Sequence, residues 1–285
     1  MSLSSFDQDV LRAECKRRIE GLEQWLRRLI YEKFRDLPGN SMIEATDIRG
    51  NFIVKAETRR NIISRFSHRP GRYARQIDAA EFDDLIVTIC KPDTYSAYFS
   101  DVFSGNFPHG SEQLRSILSR LIPPRNHLAH ANPISIHDAE RVYCYSSDII
   151  ISIKEYFMSQ GLSKEFNAPL FVKATDSFGE EFHRTAEEGN SNSSKSTNVL
   201  HVGDRFFIDL EVDPSFLPDE YSVKWINANN MATYNNAVKL ELLIDNSHVG
   251  RNTTFIAYLS SKFEWHRCGT YDDAWNFNYK VLPSR

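Results

Sequence analysis

Apolar residues recur at helical spacing along the first part of the chain. From residue 6 to residue 35 they fall at every third or fourth position until the sequence LPGN, which predicts one long amphipathic helix. A basic helix is predicted near 56–67, after a strand or turn in the sequence IEATDIRGNFIVK. A helical region from about Asp78 to Phe103 follows. Pro92 should divide it, because proline lacks the amide hydrogen that a helix interior needs.

Three more helices are expected before residue 165. The first spans about Ser111 to Leu121, and a short helix containing RNHLAH follows the two prolines at 123–124, since proline is tolerated in a first helical turn. The last starts at Ser135, which forms a capping-box pattern with Asp138, and runs to about Ser159. Its inward residues are predicted to be Val142, Ile149, Ile150, Ile153 and Phe157.

The pattern changes in the second half of the chain. Residues 184–198 are small and polar, and apolar residues then alternate in DRFFIDLEV, YSVKWIN, AVKLELLI and TTFIAYLSSKF. Short strands of this kind, with Trp225 in a middle strand, predict a two-sheet β-sandwich. We therefore expect an α + β two-domain protein, with an α-helical bundle over 1–165 and a β-sandwich over 166–285.

Composition is that of a globular protein, with 41% hydrophobic and 25% charged residues. The four cysteines are far apart without a CxxC pair, so we expect buried thiols and neither a zinc ribbon nor disulfides. The first residues lack a basic region followed by an apolar stretch, and the longest apolar run, DIIISI, is too short to span a bilayer. These features predict a cytoplasmic protein with no membrane partner.

Charge is unevenly distributed along the chain. Up to residue 165 there are 23 basic and 22 acidic residues, and after it 11 and 16. The stretch Arg49–Arg75 holds eight cations against Glu57, which suits contact with a phosphate backbone, although a solvated helix face is the alternative interpretation. The residues predicted to contact RNA are Arg59, Arg60, Arg65, Arg69, Arg72 and His127.

The segment IPPRNHLAHANPISI, residues 122–136, holds the candidate chemistry. Asn126 and His130 are four residues apart and share a helix face, and the long Arg125 side chain can reach that face. A guanidinium can contact two phosphate oxygens, and an imidazole exchanges a proton near neutral pH. The alternative is structural, with Arg125 and Asn126 capping a helix and His130 in the core. His127 with His137 or Cys144 matches no zinc-site spacing, so no metal or cofactor is predicted.

This segment resembles the HEPN superfamily, whose motif is an arginine, often followed by asparagine, and a histidine after four to six residues. The matching residues run from Arg125 to His130, and the following NPISIHDAERVY resembles the start of the last helix of such domains. The resemblance covers about residues 6–160 as a helical bundle. It implies a homodimer that brings two copies of Arg125, Asn126 and His130 into one cleft.

The chemistry implied by the resemblance is RNA cleavage without a metal. The ribose 2′-hydroxyl attacks its own 3′ phosphate and leaves a 2′,3′-cyclic phosphate and a 5′-hydroxyl. His130 would act as base or acid, Arg125 would stabilise the charge on phosphorus, and Asn126 would orient His130 or the phosphate. DNA should be inert, because the nucleophile belongs to the substrate.

The C-terminal half resembles the adenylyl/guanylyl and SMODS C-terminal sensor domain, or a related immunoglobulin-like module, through LHVGDRFFIDLEV, YSVKWINANN and FEWHRCGTYDD. Such domains accompany antiphage systems in which a sensor controls a toxic effector. The resemblance implies a nucleotide-like ligand or a protein partner here, with Trp225, Trp265, His266 and Arg267 as candidate ligand contacts. The alternative is that both tryptophans belong to the core.

Together these patterns predict a metal-independent endoribonuclease, acting as a toxin or antiviral defence effector and regulated by its C-terminal β domain. Two alternatives remain open. The first is a non-catalytic HEPN-type module that binds a nucleotide or a protein, and the second is an adaptor whose helices only dimerise.

Overall fold

The computed structural model describes residues 7–68, 73, 75–130, 132–184, 191–234 and 237–284. The chain is mixed α and β and divides into two compact units, Met1–Phe166 and Asn167–Arg285. The first unit is helical, and the second contains two β-sheets. Among the described helices, none has the length and apolar character needed to cross a bilayer.

Helix α1, Gln8–Phe34, matches the long amphipathic helix that the sequence predicts. The Asp7 side chain accepts a hydrogen bond from the Asp9 amide at 2.8 Å and caps its first turn. The helix stops before Gly39, whose φ is +91°. A Cβ atom there would lie 2.1 Å from the Glu44 carbonyl oxygen, so the turn after α1 requires glycine.

The next helices are short and closely spaced. A β-bridge joins Thr46 to Phe52 in the predicted strand or turn. Pro92 is the first residue of a helix, so the expected break lies just before it, and a further break precedes Phe82. The elements are α2 (Ala56–His68), a 3-10 turn (Gln76–Ala79), α3 (Phe82–Ile89), α4 (Pro92–Thr94), a π-helical turn (Tyr95–Phe99) and α5 (Ser100–Phe103).

The helical unit ends with α6 (Gly110–Ser119), α7 (Ile122–Ala129), α8 (Ile136–Ser159) and α9 (Ser163–Phe166). Ser135 caps α8 as predicted, since its Oγ accepts a hydrogen bond from the Asp138 amide at 3.0 Å. The predicted inward residues of α8 are buried, except that Ile150 is only half-buried.

The core of this unit lies between α1 and α8. The rings of Trp25 and Phe157 are 6.1 Å apart, and both side chains are fully buried. Helix α7 lies against both helices and buries Pro124 and Leu128, while its other residues are half-buried or exposed. A short helix is thereby fixed on a rigid pair, with one face turned to solvent.

The second unit consists of nine described strands in two sheets. One sheet has the order β2-β1-β4-β7, and the other has the order β3-β9-β8-β5-β6. Their bounds are β1 (Phe171–Asp176), β2 (Glu181–His183), β3 (Ser191–His201), β4 (Arg205–Val212), β5 (Tyr221–Asn227), β6 (Thr233–Tyr234), β7 (Lys239–Leu243), β8 (Gly250–Ser261) and β9 (Asp273–Leu282).

Both sheets contribute side chains to a single core. Phe206 of β4 lies 5.7 Å from Phe255 of β8 and 4.8 Å from Tyr279 of β9, measured between ring centroids. Part of the polar run 184–198 belongs to this fold, because its residues from Ser191 onward form β3 and pair in parallel with β9. Residues 185–190 of that run lie outside the described part.

Candidate functional site

Helix α7 carries the motif Arg125, Asn126 and His130. Pro123 and Pro124 occupy its first turn, where a missing amide hydrogen costs nothing. His130 is the residue that ends the helix, and its amide donates to the carbonyl oxygens of Asn126 at 3.3 Å and His127 at 3.2 Å. Asn126 and His130 therefore stay one helical turn apart, as the spacing predicts.

The chemical groups of the motif face solvent. Asn126, His127 and His130 are exposed, and Arg125 is half-buried. Within the described part of the chain, the His130 imidazole makes no side-chain hydrogen bond. The core-histidine interpretation therefore does not fit His130, and its ring is available to exchange protons with a bound molecule.

Arg125 is held by an acid from α1. Its Nε donates to Glu23 Oε1 at 3.3 Å, and its Nη1 lies 3.4 Å from Asn126 Oδ1. The other carboxylate oxygen, Glu23 Oε2, accepts a hydrogen bond from Arg27 Nη2 at 3.0 Å. Arg27 Nη2 also donates to the Ala80 carbonyl oxygen at 2.8 Å. A continuous chain of bonds thus fixes the guanidinium of Arg125 from the core outward.

This arrangement leaves the cluster positively charged. Glu23 is shared by two arginines, and its side chain is only 12% exposed. One carboxylate facing two guanidinium groups leaves an excess of one positive charge, at the place where Arg125 comes to the surface. Nη2 of Arg125 has no hydrogen bond to any described residue. It can therefore bind an anion such as a phosphate oxygen.

The predicted RNA-contacting arginines have different surroundings. Arg65 donates to the Ala79 carbonyl oxygen at 2.7 Å and to Asp84 Oδ2 at 2.8 Å, so its guanidinium joins α2 to the 3-10 turn and to α3, while its side chain stays 26% exposed. Burial raises the pKa of Asp84, although Arg65 opposes that shift. Arg60 is exposed. The guanidinium carbon of Arg59 lies 3.3 Å from the centroid of the Phe52 ring.

Two of the predicted contacts, Arg69 and Arg72, lie outside the described residues. His127 is exposed on α7 beside the motif, and its carbonyl oxygen also accepts a hydrogen bond from the Asn132 amide at 3.0 Å. Among the four predicted contacts that the structure describes, Arg60 and His127 are exposed, and Arg59 and Arg65 are half-buried.

The cysteines only partly follow the prediction of buried thiols. Cys15 and Cys90 are buried, and burial raises their pKa values to about 11 and about 12. Cys144 is exposed and Cys268 is half-buried, so the prediction is wrong for these two. Spacing in sequence does not report burial, because each cysteine packs according to its own helix or loop.

In the β unit, Trp225 belongs to the core and not to a ligand site. It is fully buried, and its Nε1 donates to the Ala237 carbonyl oxygen at 2.9 Å. Trp265 is half-buried and stacks on Phe263, with ring centroids 4.7 Å apart. His266 and Arg267 follow it in the loop between β8 and β9.

That loop is anchored by Asp272. One of its oxygens accepts a hydrogen bond from the Ser261 amide at 2.6 Å and lies 3.2 Å from His266 Nδ1, and the other accepts from the Arg267 amide at 2.9 Å. Burial lowers the pKa of Arg267. The Asp272 carboxylate, the His266 ring and the Arg267 backbone amide are thus engaged in holding the loop.

Glu23 is the site residue that the sequence did not reveal. Its spacing of four from Arg27 indicates only an ion pair along a helix. Nothing local links it to Arg125, which lies 102 residues later in the chain. No protein-family model matches this chain, and no curated protein is significantly similar to it.

Proposed function

We propose that the chain is a metal-independent endoribonuclease whose site is formed by Arg125, Asn126 and His130 on α7. The observation that carries the proposal is the Glu23 carboxylate fixing Arg125 beside Asn126, with His130 exposed at the end of the same helix. A cation held in place on a helix that ends at a solvent-facing imidazole suits a reaction in which negative charge develops on phosphorus.

The reaction breaks the P–O5′ bond of RNA. A base removes the proton of the ribose 2′-hydroxyl, whose oxygen attacks the adjacent phosphorus. An acid then gives a proton to the departing 5′ oxygen, so the products are a 2′,3′-cyclic phosphate and a 5′-hydroxyl. His130 acts as the base or the acid, Arg125 binds the phosphate oxygens, and Asn126 orients the phosphate or the imidazole.

The proposal includes a homodimer through the helical unit. One copy of the motif offers one His130, whereas the reaction needs both a proton acceptor and a proton donor. Two copies facing each other supply both. Light scattering or sedimentation of the purified chain should therefore give twice the chain mass. A monomer that cleaves RNA at micromolar concentration would contradict this part.

The role proposed for the β unit is control of the nuclease. Ring contacts between β4 and both β8 and β9 support a β-sandwich. We propose that this unit senses a nucleotide-like ligand or a protein partner and thereby restrains the nuclease of the same chain. The whole protein would then act in the cytoplasm as a toxin or antiviral defence effector. Trp225 is left out of the ligand contacts because it is core.

A non-catalytic module that binds a nucleotide or a protein is the second candidate, ahead of a dimeric adaptor. The observation that favours it is that Nε and Nη1 of Arg125 already face Glu23 and Asn126. Such a protein would bind RNA or a nucleotide and leave it intact.

The test is incubation of the purified full chain with mixed RNA in excess EDTA. We expect cleavage, and we expect Arg125→Ala and His130→Ala each to lower the rate about a hundredfold or more. His137→Ala is the matched control, since its side chain is 70% exposed at the start of α8 and lies outside the motif.

Either of two results would overturn the mechanism. The first is activity that disappears with EDTA and returns with magnesium, and the second is a full cleavage rate in His130→Ala. Binding of intact RNA without cleavage would favour the second candidate instead.

A further inference from the structure

The turn between α1 and α2 displays an isoleucine that nothing in the described chain covers. Ile48 is 102% exposed, which is the highest value among the large apolar side chains of the described residues. Leaving an aliphatic side chain fully in water forgoes about 1.5–3 kcal/mol of burial free energy. Single exposed apolar side chains are common on protein surfaces, so Ile48 carries weight only together with the residues beside it.

The turn is fixed and not a loose loop. Asp47 Oδ1 accepts hydrogen bonds from the amides of Arg49 and Asn51, both at 2.8 Å. The Asp47 amide donates to the Asn51 carbonyl oxygen at 2.9 Å, and Gly50 supplies the required positive φ of +79°. These bonds, above all those from Asn51, lower the pKa of Asp47. Ile48 and Arg49 are therefore presented in one defined conformation.

Helix α2 extends the same surface. It buries only Thr58 and Ile62 among its described side chains, so most of it faces solvent. Arg59 lies over the ring of Phe52, just after the turn, and so connects the helix to the turn. Ile63 is four residues after Arg59 on the same face and is 42% exposed. Apolar and cationic side chains thus alternate over the turn and the helix.

The net charge of this surface is positive. From Asp47 to Arg60 there are four cations and two acids, Asp47 and Glu57. Arg49, Lys55 and Arg60 are exposed and appear in no ion pair among the described residues. An anionic partner with apolar faces matches this combination, because cations contact its phosphates while Ile48 contacts a base or a ribose.

We propose that the turn Asp47–Asn51 and the exposed face of α2 form an RNA-docking surface, with Ile48 as its apolar contact and Arg49, Lys55 and Arg60 as phosphate contacts. This inference rests on the proposed function, since it names where the substrate is held outside the α7 motif. Single-stranded RNA fits best, because its bases are open to an apolar side chain.

The experiment measures binding separately from cleavage. Full-length His130→Ala protein is titrated against a fluorescent 20-nucleotide single-stranded RNA at several salt concentrations. We expect Arg49→Ala/Arg60→Ala to weaken binding about tenfold and to reduce the slope of log K against log salt by about 1.4, for two lost phosphate contacts. Ile48→Ser should weaken binding about threefold to tenfold without changing that slope, because no charge is removed.

Controls separate this surface from general effects. Ile151→Ser makes the same change at an isoleucine that is 48% exposed on α8, and Lys16→Ala removes a cation that is 57% exposed on α1. Neither control should alter RNA affinity. Circular dichroism of each variant should match that of the parent protein.

Three outcomes would overturn the docking surface. One is unchanged RNA affinity in both variants, and another is an equal loss in the controls. The third is binding to phosphatidylserine vesicles, weakened by Ile48→Ser, in a protein that does not bind RNA. Failure of the proposed nuclease gives a different result. The wild-type chain would then leave the same RNA intact, while Arg49→Ala/Arg60→Ala and Ile48→Ser would still weaken RNA binding.

Discussion

Polar groups are used differently in the two units. In the β unit many are buried and bonded to one another, as in the hydrogen bond from Tyr279 to Asp176, two residues that are each 1% exposed. Burial raises the pKa of Tyr279 far above its ordinary value, so the ring stays neutral and acts as a donor. In the helical unit, the bonds from Arg27 through Glu23 lead to Arg125 on α7, the helix that ends at the exposed His130.

On the proposed function, burial and shifted pKa values alone do not mark the active site. Asp272 and Asp273 are among the most buried acids of the described chain, and their bonds hold strands and a loop. The α7 motif has a buried support in Glu23 and an exposed end at His130. A site of this kind can reach a substrate, whereas a closed network only stabilises its own fold.

The largest expected contrast is in stability. Trp225→Ala removes a fully buried ring and its hydrogen bond to Ala237, so we expect about 3–5 kcal/mol less free energy of unfolding. His130→Ala changes an exposed residue and should cost less than about 0.5 kcal/mol. Urea denaturation followed by circular dichroism measures both. Equal losses in the two variants would mean that the α7 motif is structural.

The next effect concerns the support of Arg125. Glu23→Gln keeps the shape of the side chain but removes the charge shared by Arg27 and Arg125. We expect kcat for RNA cleavage to fall about tenfold, or about 1.4 kcal/mol in activation free energy, with a smaller change in KM. Glu14→Gln is the matched control, because it alters another arginine pair along α1, with Arg17.

Folded Glu23→Gln protein with an unchanged kcat would show that Glu23 does not position Arg125 for catalysis. A loss in both kcat and helical content would instead assign Glu23 to the core, because Arg27 beside it is buried. Circular dichroism of the same samples separates these results.

A third prediction uses pH to test the loop anchor of the β unit. Burial alone would raise the pKa of Asp272, but hydrogen bonds from the Ser261 and Arg267 amides lead to a net lowering. A lowered pKa stabilises the fold above the ordinary value of about 3.9, and this contribution is lost as pH falls through the lowered value. We expect Asp272→Asn to cost about 1–3 kcal/mol at pH 7.

The difference in stability between wild type and Asp272→Asn should begin to shrink below about pH 4, where the Asp272 carboxylate of the unfolded chain starts to bind a proton, and should be lost once pH falls below the lowered pKa of the folded protein. Chemical denaturation at a series of pH values measures it. A difference that stays constant down to pH 2 would show that the Asp272 charge is unimportant for the loop.

The smallest effect separates two neighbouring arginines. Arg65→Ala breaks the contacts with Asp84 and Ala79, so we expect it to lower stability by about 1 kcal/mol and to leave the salt dependence of RNA binding unchanged. Arg60→Ala should leave stability unchanged and reduce the salt dependence of RNA binding. If Arg65→Ala weakened RNA binding as much as Arg60→Ala, both side chains would belong to the docking surface.

Local signals in the sequence predicted much of the helical unit. The Ser135 cap, the prolines before Arg125 and the glycine after α1 act within a few residues, so each can be found from a short stretch. The contact of Glu23 with Arg125 depends on how α7 packs against α1, which no local pattern reports.

Strand β3 escaped prediction for a similar reason. It is rich in serine and asparagine, and its buried residues include Asn192 and Ser196 as well as Leu200. Its pairing partner β9 follows more than 70 residues later, so apolar alternation could not identify it. Polar contacts across strands replace the usual apolar pattern; for example, Trp275 Nε1 donates a hydrogen bond to Ser194 Oγ at 2.9 Å.

The most direct test of the proposed ribonuclease is the chemistry of its product ends. A defined RNA is cleaved by the wild-type chain in EDTA, and the fragments are analysed by mass spectrometry beside a substrate of the same sequence with 2′-deoxy sugars. We predict 2′,3′-cyclic phosphate and 5′-hydroxyl ends from the RNA and no cleavage of the deoxy substrate. Fragments with 5′-phosphate ends, or cleavage of the deoxy substrate at a similar rate, would contradict attack by the 2′-hydroxyl at the Arg125–His130 site.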